Sequence, residues 1–239
     1  MHRKQAASVK EGMGSNGETD ARREEMVTRQ LRAGGIVDER VLRAMGTVPR
    51  EQFVPELLRR QAYADGALPI GHGQTISQPW VVAAICTALE LAGGERVLDV
   101  GGGAGYSTAV IAELVRPGGT VRSYELIDPL ADRARATLAR LGYAEAEVLA
   151  GDGARVSTDS WDAIAVHAAA PELPAPLVKS LKPGGRLVLP LARGHSDILT
   201  AFRRTDDGSS GDVTLERTEV AECRFVPLLG DSGFASRDR

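Results

Sequence analysis

Long apolar runs are missing from this 239-residue chain. A membrane-spanning helix needs about 20 mostly apolar residues. The best stretch, Trp80 to Ala92, is shorter and carries Thr87 and Glu90, so no membrane association is expected. Cysteine is scarce as well. Cys86 and Cys223 are too few and too far apart for a disulfide framework, and both read as reduced core residues of a cytoplasmic protein. The four histidines, His2, His72, His167 and His195, show no metal-ligand spacing with each other or with the cysteines. No metal is therefore expected. The net charge of −3 offers no basic excess of the kind that accompanies nucleic-acid binding. The first residues also lack the apolar segment of a secretory signal.

What is present is an ordinary globular balance, with 43% hydrophobic and 26% charged residues. Residues 1–20 are poor in apolar side chains and contain several Gly, Ser and Asn, which predicts a disordered leader. A helical period starts at Ala21 and runs through Met26 and Leu31. A second helix takes in Val41, Leu42 and Met45, with Asp38 as its N-cap and Pro49 as its stop. Residues 46–79 carry turn signals without a sustained period and are expected to be irregular.

Strand and helix patterns then alternate. A helix from Trp80 to Leu91 precedes the buried strand "RVLDV". The helix "YSTAVIAELV", the strand "TVRSYE", a helix from Pro129 to Leu141 and the strand "AEVLA" follow. Next come the strand "WDAIAVHAA", a helix from Ala175 to Leu181 and the strand "GRLVLPL". "DILTAF", "DVTLERTEV" and "CRFVPLL" read as antiparallel strands. Repeated strand–helix units predict an α/β, doubly wound, mostly parallel sheet, whose ligands bind beyond the carboxyl ends of its strands.

Three features mark that end of the sheet. "VLDVGGGAGYSTA" places Gly101, Gly103 and Gly105 between a strand and a helix, where glycine allows a tight turn and close approach of a ligand. The dinucleotide fingerprint would need a third glycine at Tyr106, which weakens a hydride-transfer reading. Glu125 closes the next strand, where a carboxylate can accept hydrogen bonds from both hydroxyls of a ribose. "GDG", with Asp152, closes the third. The G-x-G-x-G spacing with Asp99 in the strand resembles motif I of class I S-adenosylmethionine-dependent methyltransferases, in which an acid at the third strand end pairs with the adenine amino group.

The stretch "GHGQTISQPW" ahead of the glycine loop is more specific. Together with "GGIVDERVLRAMGTVPREQFVP", "AGDGA", "WDAIAVHAAAPELPAPLVKSLKPGGRLVLPL" and "RFVPLLG", it resembles the protein-L-isoaspartate (D-aspartate) O-methyltransferases from about residue 26 to 230. The resemblance implies a class I, Rossmann-like methyltransferase fold with N-terminal helices and antiparallel C-terminal strands. It implies a single domain over 21–239: an N-terminal helical and substrate-site segment to 79, a cofactor-binding core over 80–196, and C-terminal strands over 197–239.

The implied reaction is methylation of the α-carboxyl of L-isoaspartyl residues, whose ester closes to a succinimide and reopens partly to aspartate. S-adenosyl-L-methionine is the implied cofactor and S-adenosyl-L-homocysteine its product. Ser77 is the implied catalytic residue. Cofactor contacts fall to Gln74, Thr75, Ile76, Asp99, Gly101, Gly103, Gly105, Tyr106, Glu125, Leu126, Asp152, Gly153 and His167. Contacts to a damaged peptide or protein fall to His72, Ser77, Ala169, Ala170 and Pro171. The protein is expected to act as a monomer.

A nucleophilic role for Ser77, with His72 as base, lacks the G-x-S-x-G elbow. Two alternatives stay open. The loop "ARGHSD" departs from the Gln-rich stretch of many relatives and leaves room for an enzyme that esterifies an aspartate side chain in a ribosomally made, modified peptide. A nucleoside-binding module without catalysis is the other, against which the intact Ser77, Glu125 and Asp152 argue.

Overall fold

In the computed structural model, residues 17–156, 160–208 and 213–235 are described. The chain enters as helix α1 over 17–32, which is π-wound across Met26–Arg32. It therefore begins four residues ahead of the expected start at Ala21. The rest of the expected leader, 1–16, lies outside the described residues. Helix α2 (Glu39–Thr47) starts as its sequence predicts: Asp38 Oδ1 accepts from the Arg40 and Val41 amides at 2.8 and 3.3 Å. These are two of the amide groups that a helix start leaves without intrahelical partners.

Residues 46–79 are more ordered than their turn-rich composition predicts. Two 3₁₀ turns, Arg50–Gln52 and Glu56–Gln61, lead into an antiparallel hairpin of β1 (Leu68–Gly71) and β2 (Gln74–Ile76). The hairpin reverses at His72, held in the left-handed region at φ 55°. Only Leu68, Ile70 and Ile76 supply its buried apolar side chains, too few to show a period of two in the sequence.

The remaining elements follow the predicted alternation. Helix α3 (Pro79–Leu89), β3 (Arg96–Val100), helix α4 (Tyr106–Val115), β4 (Thr120–Glu125), helix α5 (Asp128–Leu141) and β5 (Ala146–Ala150) are followed by β6 (Trp161–Val166) and helix α6 (Ala175–Ser180). Three long strands, β7 (Leu181–Arg193), β8 (Ser196–Arg204) and β9 (Leu215–Cys223), complete the chain. One seven-stranded sheet runs β5-β4-β3-β6-β7-β8-β9, parallel up to β7 and antiparallel beyond it. The order reverses at β3, from which the chain winds outward first one way and then the other. "CRFVPLL" departs from expectation: β9 ends at Cys223, and the segment beyond it makes only single bridges, Pro227 to Ala169 and Leu229 to Phe234. "WDAIAVHAA" likewise stops being a strand at Val166.

Alternation along the strands splits the core between the two sheet faces. Val97, Ala163, Ala165 and Val188 join one buried cluster with α3, α4, α5 and the N-terminal segment. Leu98, Ile164, Val166 and Leu187 join the other, with Leu177 of α6 and Phe202 of β8. Nearly every residue of α4 is buried, because α2 covers the side that faces away from the sheet. Arg40 fastens this layer, donating to the Leu91 carbonyl just past α3 and to the Leu114 carbonyl in the last turn of α4, both at 2.6 Å. Helix ends leave such carbonyls without partners. Loss of the α2 cap should be measurable: Asp38→Ala is expected to cost about 1 kcal/mol. Thermal denaturation should then show Tm lower by about 2–4 °C.

Candidate active site

The topological reversal at β3 opens a cleft of about 880 Å³ beyond the carboxyl ends of β3, β4 and β6. Its floor is the glycine loop, residues 101–104. Residues 74–77 of the hairpin form one wall, and the strand-end residues 125–127 and 151–153 another. Residues 226–229, the segment expected to be a strand, cover part of it.

The loop takes its shape from a buried polar knot behind it. Asp99 is inaccessible to water. Its Oδ2 accepts from the Thr108 hydroxyl of α4 at 2.6 Å and from the Ser123 hydroxyl of β4 at 3.1 Å. His167, at the end of β6, brings Nε2 to 3.1 Å from Asp99 Oδ1. The two atoms lie off the line that a hydrogen bond needs, and neither has another partner among the described residues. A Cβ on Gly102 would collide with the Ser123 hydroxyl and crowd the Thr108 hydroxyl and the Asp99 carboxylate. Glycine is required there by close approach, although Gly102 is one of the variable positions of the motif.

Glu125 sits at the edge of the loop and is 6% exposed. Its Oε2 accepts from the Gly103 amide at 2.8 Å, and its Oε1 from the Ile127 amide at 2.9 Å. Burial pushes its pKa above the usual carboxylate range, against the pull of these two amides. A carboxylate has about four acceptor positions, so two remain for a ligand. Leu126 beside it is 47% exposed, an apolar surface at the lip of the cleft. Across the cleft mouth, Asp152 Oδ1 accepts from the Ala154 amide at 3.0 Å, and the carboxylate is packed against the backbone at Gly230.

Two arginines hold the hairpin against the loop. Arg133 of α5 donates to the Ile70 carbonyl at 2.8 Å, and Arg50 donates to the Ser77 carbonyl at 2.7 Å. Ile70 Cδ1 in turn lies 3.3 Å from where a Cβ on Gly103 would stand.

Among the residues singled out in the sequence, Gln74, Thr75, Ile76, Ser77, Gly101, Gly103, Tyr106, Glu125, Leu126, Asp152, Gly153 and His167 all line this cleft. Asp99 and Gly105 stand behind it: a Cβ on Gly105 would press on Ala134 and Leu138 of α5 at 3.1 and 3.3 Å. His72 is exposed at the hairpin tip. Ala169 and Ala170 are buried and bridged to Pro227 and Leu191, with Pro171 exposed after them; none of the four lines the cleft. The sequence reading missed Ser107, Tyr124 and Ile127, which lie one or two positions from marked residues, and the cover at 226–229. It also missed Arg50, which lies in a segment quoted for the family resemblance but was given no role there.

A model of the protein-L-isoaspartate(D-aspartate) O-methyltransferase family matches residues 21–233. The chain is 49% identical to protein-L-isoaspartate O-methyltransferase 1 of Rhodopseudomonas palustris, over 90% of this chain and 86% of that one. It is 45% identical to the protein-L-isoaspartate O-methyltransferase of Methanothrix thermoacetophila, over 89% and 97% of the two chains. A solved protein-L-isoaspartate O-methyltransferase superposes with a TM-score of 0.76 at 28% identity, over 88% of this chain and 67% of the other. A Plasmodium falciparum protein described as a putative enzyme of this kind, in complex with S-adenosyl-L-homocysteine, shares the fold at a TM-score of 0.71 and 24% identity, over 85% and 97%. With the family matched along nearly all of its described length and the cleft built from that family's diagnostic segments, the chain belongs to the protein-L-isoaspartate(D-aspartate) O-methyltransferases.

Proposed function

We propose that the protein transfers a methyl group from S-adenosyl-L-methionine to the α-carboxylate of L-isoaspartyl residues in damaged proteins or peptides. One observation carries the reading: the Gln-Thr-Ile-Ser segment, β2 with Ser77 after it, faces the glycine loop across one cleft, with Glu125 bonded to that loop at Gly103. The cleft fits the cofactor by donor set. Glu125 offers acceptors for ribose hydroxyls, and Asp152 offers one for an adenine amino group. Leu126 supplies an apolar face for the base. The relatives carry the isoaspartyl name, and no observation favours esterification of an aspartate side chain. The net charge of −3 supports the absence of nucleic-acid partners and two free cysteines support a reducing, cytoplasmic setting, and no helix among the described residues is long and apolar enough to cross a membrane.

The bound cofactor supplies a methyl group on a positively charged sulfur. An acceptor carboxylate titrates near pH 4 and is already ionised at neutral pH, so the protein needs no strong base. It needs alignment and exclusion of water. Residues 74–77 form the wall between the two reactants, and the Ser77 hydroxyl holds one carboxylate oxygen while the other attacks in line. A hydroxyl is suited to this: one neutral donor fixes the carboxylate without quenching its charge. With the cofactor held by the glycine loop, Glu125 and Asp152, the carboxylate oxygen left free by Ser77 would take the methyl group, the carbon–sulfur bond breaking as the carbon–oxygen bond forms and a thioether and a neutral ester remaining. The ester then closes to a succinimide as the following backbone amide nitrogen attacks the ester carbonyl and methanol leaves, and water reopens the ring partly to aspartate.

Labelled S-adenosylmethionine should methylate an isoaspartyl peptide and leave its aspartyl twin unlabelled; equal labelling of both, or none, overturns the reading. Ser77→Ala should lower kcat by about 10- to 100-fold, the worth of one hydrogen bond to a charged group. Calorimetry should find its affinity for S-adenosylhomocysteine unchanged, and a collapse of that affinity would make the segment scaffolding. Glu125 supplies a pH dependence. Folding raises its pKa, so its ionised form subtracts from the stability of the ligand-free protein as pH rises through the raised value. Ribose hydroxyls donating to the carboxylate relieve that cost. S-adenosylhomocysteine affinity should therefore fall as pH drops through the raised Glu125 titration, starting above the ordinary carboxylate range. Glu125→Gln should bind more weakly at neutral pH, by about tenfold, with that pH dependence gone.

A further inference from the structure

Arg50 is a buried cation without an anion. It is fully inaccessible to water, and no carboxylate pairs with it among the described residues. Its Nε donates to the Ala62 carbonyl and one terminal nitrogen to the Ser77 carbonyl, each at 2.7 Å. The other terminal nitrogen has no hydrogen-bond partner among the described residues. The guanidinium carbon lies 4.8 Å from the ring centre of Tyr106. Ser77 and Tyr106 both line the cleft, while Arg50 does not, so its charge stands one residue layer behind the wall where the acceptor is held. Two carbonyls and a π face soften the burial of a full charge but do not neutralise it.

We infer that Arg50 is the positioning cation for the acceptor: a carboxylate-recruiting charge that acts through Ser77 and across Tyr106 without touching the substrate. Its distance suits the chemistry. A guanidinium bonded directly to the carboxylate would bind it well but draw off the charge that attacks the methyl group. Set one layer back, the same charge favours a carboxylate over a neutral group in the cleft and leaves the attacking oxygen free. It also works against the cationic cofactor and not against its neutral product, so wild type holds S-adenosylmethionine less tightly relative to S-adenosylhomocysteine than a neutral variant would. This inference rests on the carboxyl-methylation reading above.

The test compares wild type with Arg50→Met and Arg50→Lys, using an isoaspartyl peptide for kinetics and the two cofactor forms for calorimetry. Wild type must first methylate the peptide; if it does not, the functional reading fails, and the role of Arg50 with it. Given an active wild type, Arg50→Met should raise the peptide KM by about tenfold, the scale of one charge at second-neighbour distance in a partly polar interior. Its kcat at saturation should fall less than KM rises. Its ratio of S-adenosylmethionine to S-adenosylhomocysteine affinity should increase, and Arg50→Lys should restore most of both changes. A bracing role alone would weaken both cofactor forms equally and would leave Arg50→Lys as impaired as Arg50→Met; either result overturns the inference. If Arg50→Met does not fold, Arg50→Gln replaces it. If neither neutral variant folds, Arg50→Lys decides: a KM close to wild type supports the inference and a tenfold loss overturns it.

Discussion

A carboxylate with no access to water, Asp99, stands where β3, β4, α4 and β6 converge. Burying such a charge costs several kcal/mol unless donors meet it. Thr108 and Ser123 meet one oxygen, while His167 Nε2 stands 3.1 Å from the other without a hydrogen bond. The donors come from different elements, so satisfying Asp99 fixes the ends of two strands and the first turns of a helix relative to one another. The glycine loop is threaded over this knot. Gly102 touches it, Gly103 reaches Glu125, and the chain continues into α4 through Gly105. The cleft therefore has a floor that cannot shift without exposing or orphaning a buried charge.

On that floor, in the reaction we propose, different kinds of group handle the two halves. The cofactor side presents carboxylates, Glu125 and Asp152, each partly engaged by backbone amides and so held in one orientation. The acceptor side presents a three-residue strand with little burial of its own, pinned at both ends of its hairpin by arginines from α5 and from the N-terminal segment. A short polar hairpin would be marginal alone. It becomes a rigid wall because Arg133 and Arg50 satisfy its outer carbonyls and Ile70 seats against Gly103.

The order of helices and strands from Trp80 to Phe202 could be read directly, because apolar runs bounded by glycine or proline leave few alternatives in an α/β chain. Where local pattern is weak, the reading went astray. The hairpin at 68–76 has three buried apolar side chains, and its sequence resembles a loop. "CRFVPLL" has the composition of a strand but makes only isolated bridges, since it crosses the sheet end and covers the cleft instead of extending an edge. Asp99 and Gly105 were marked as ligand contacts because they belong to a motif; packing puts them behind the loop.

The sequence by itself determined the fold class and part of the cleft lining, through periodicity, glycine between strand and helix, and strand-end acids, with residues 74–77 implied only by the family resemblance. It also determined the family, through a polar segment whose residue types are unusual enough to be diagnostic. Only the tertiary structure decided what lies behind those residues. Arg50 and Gly102 lie in recognisable segments, but nothing local to them shows what they touch. Their roles arise from distant partners, Ser77 and Ser123, that meet them only when the chain is folded, because burial and close approach are properties of the packed chain and not of any stretch of it.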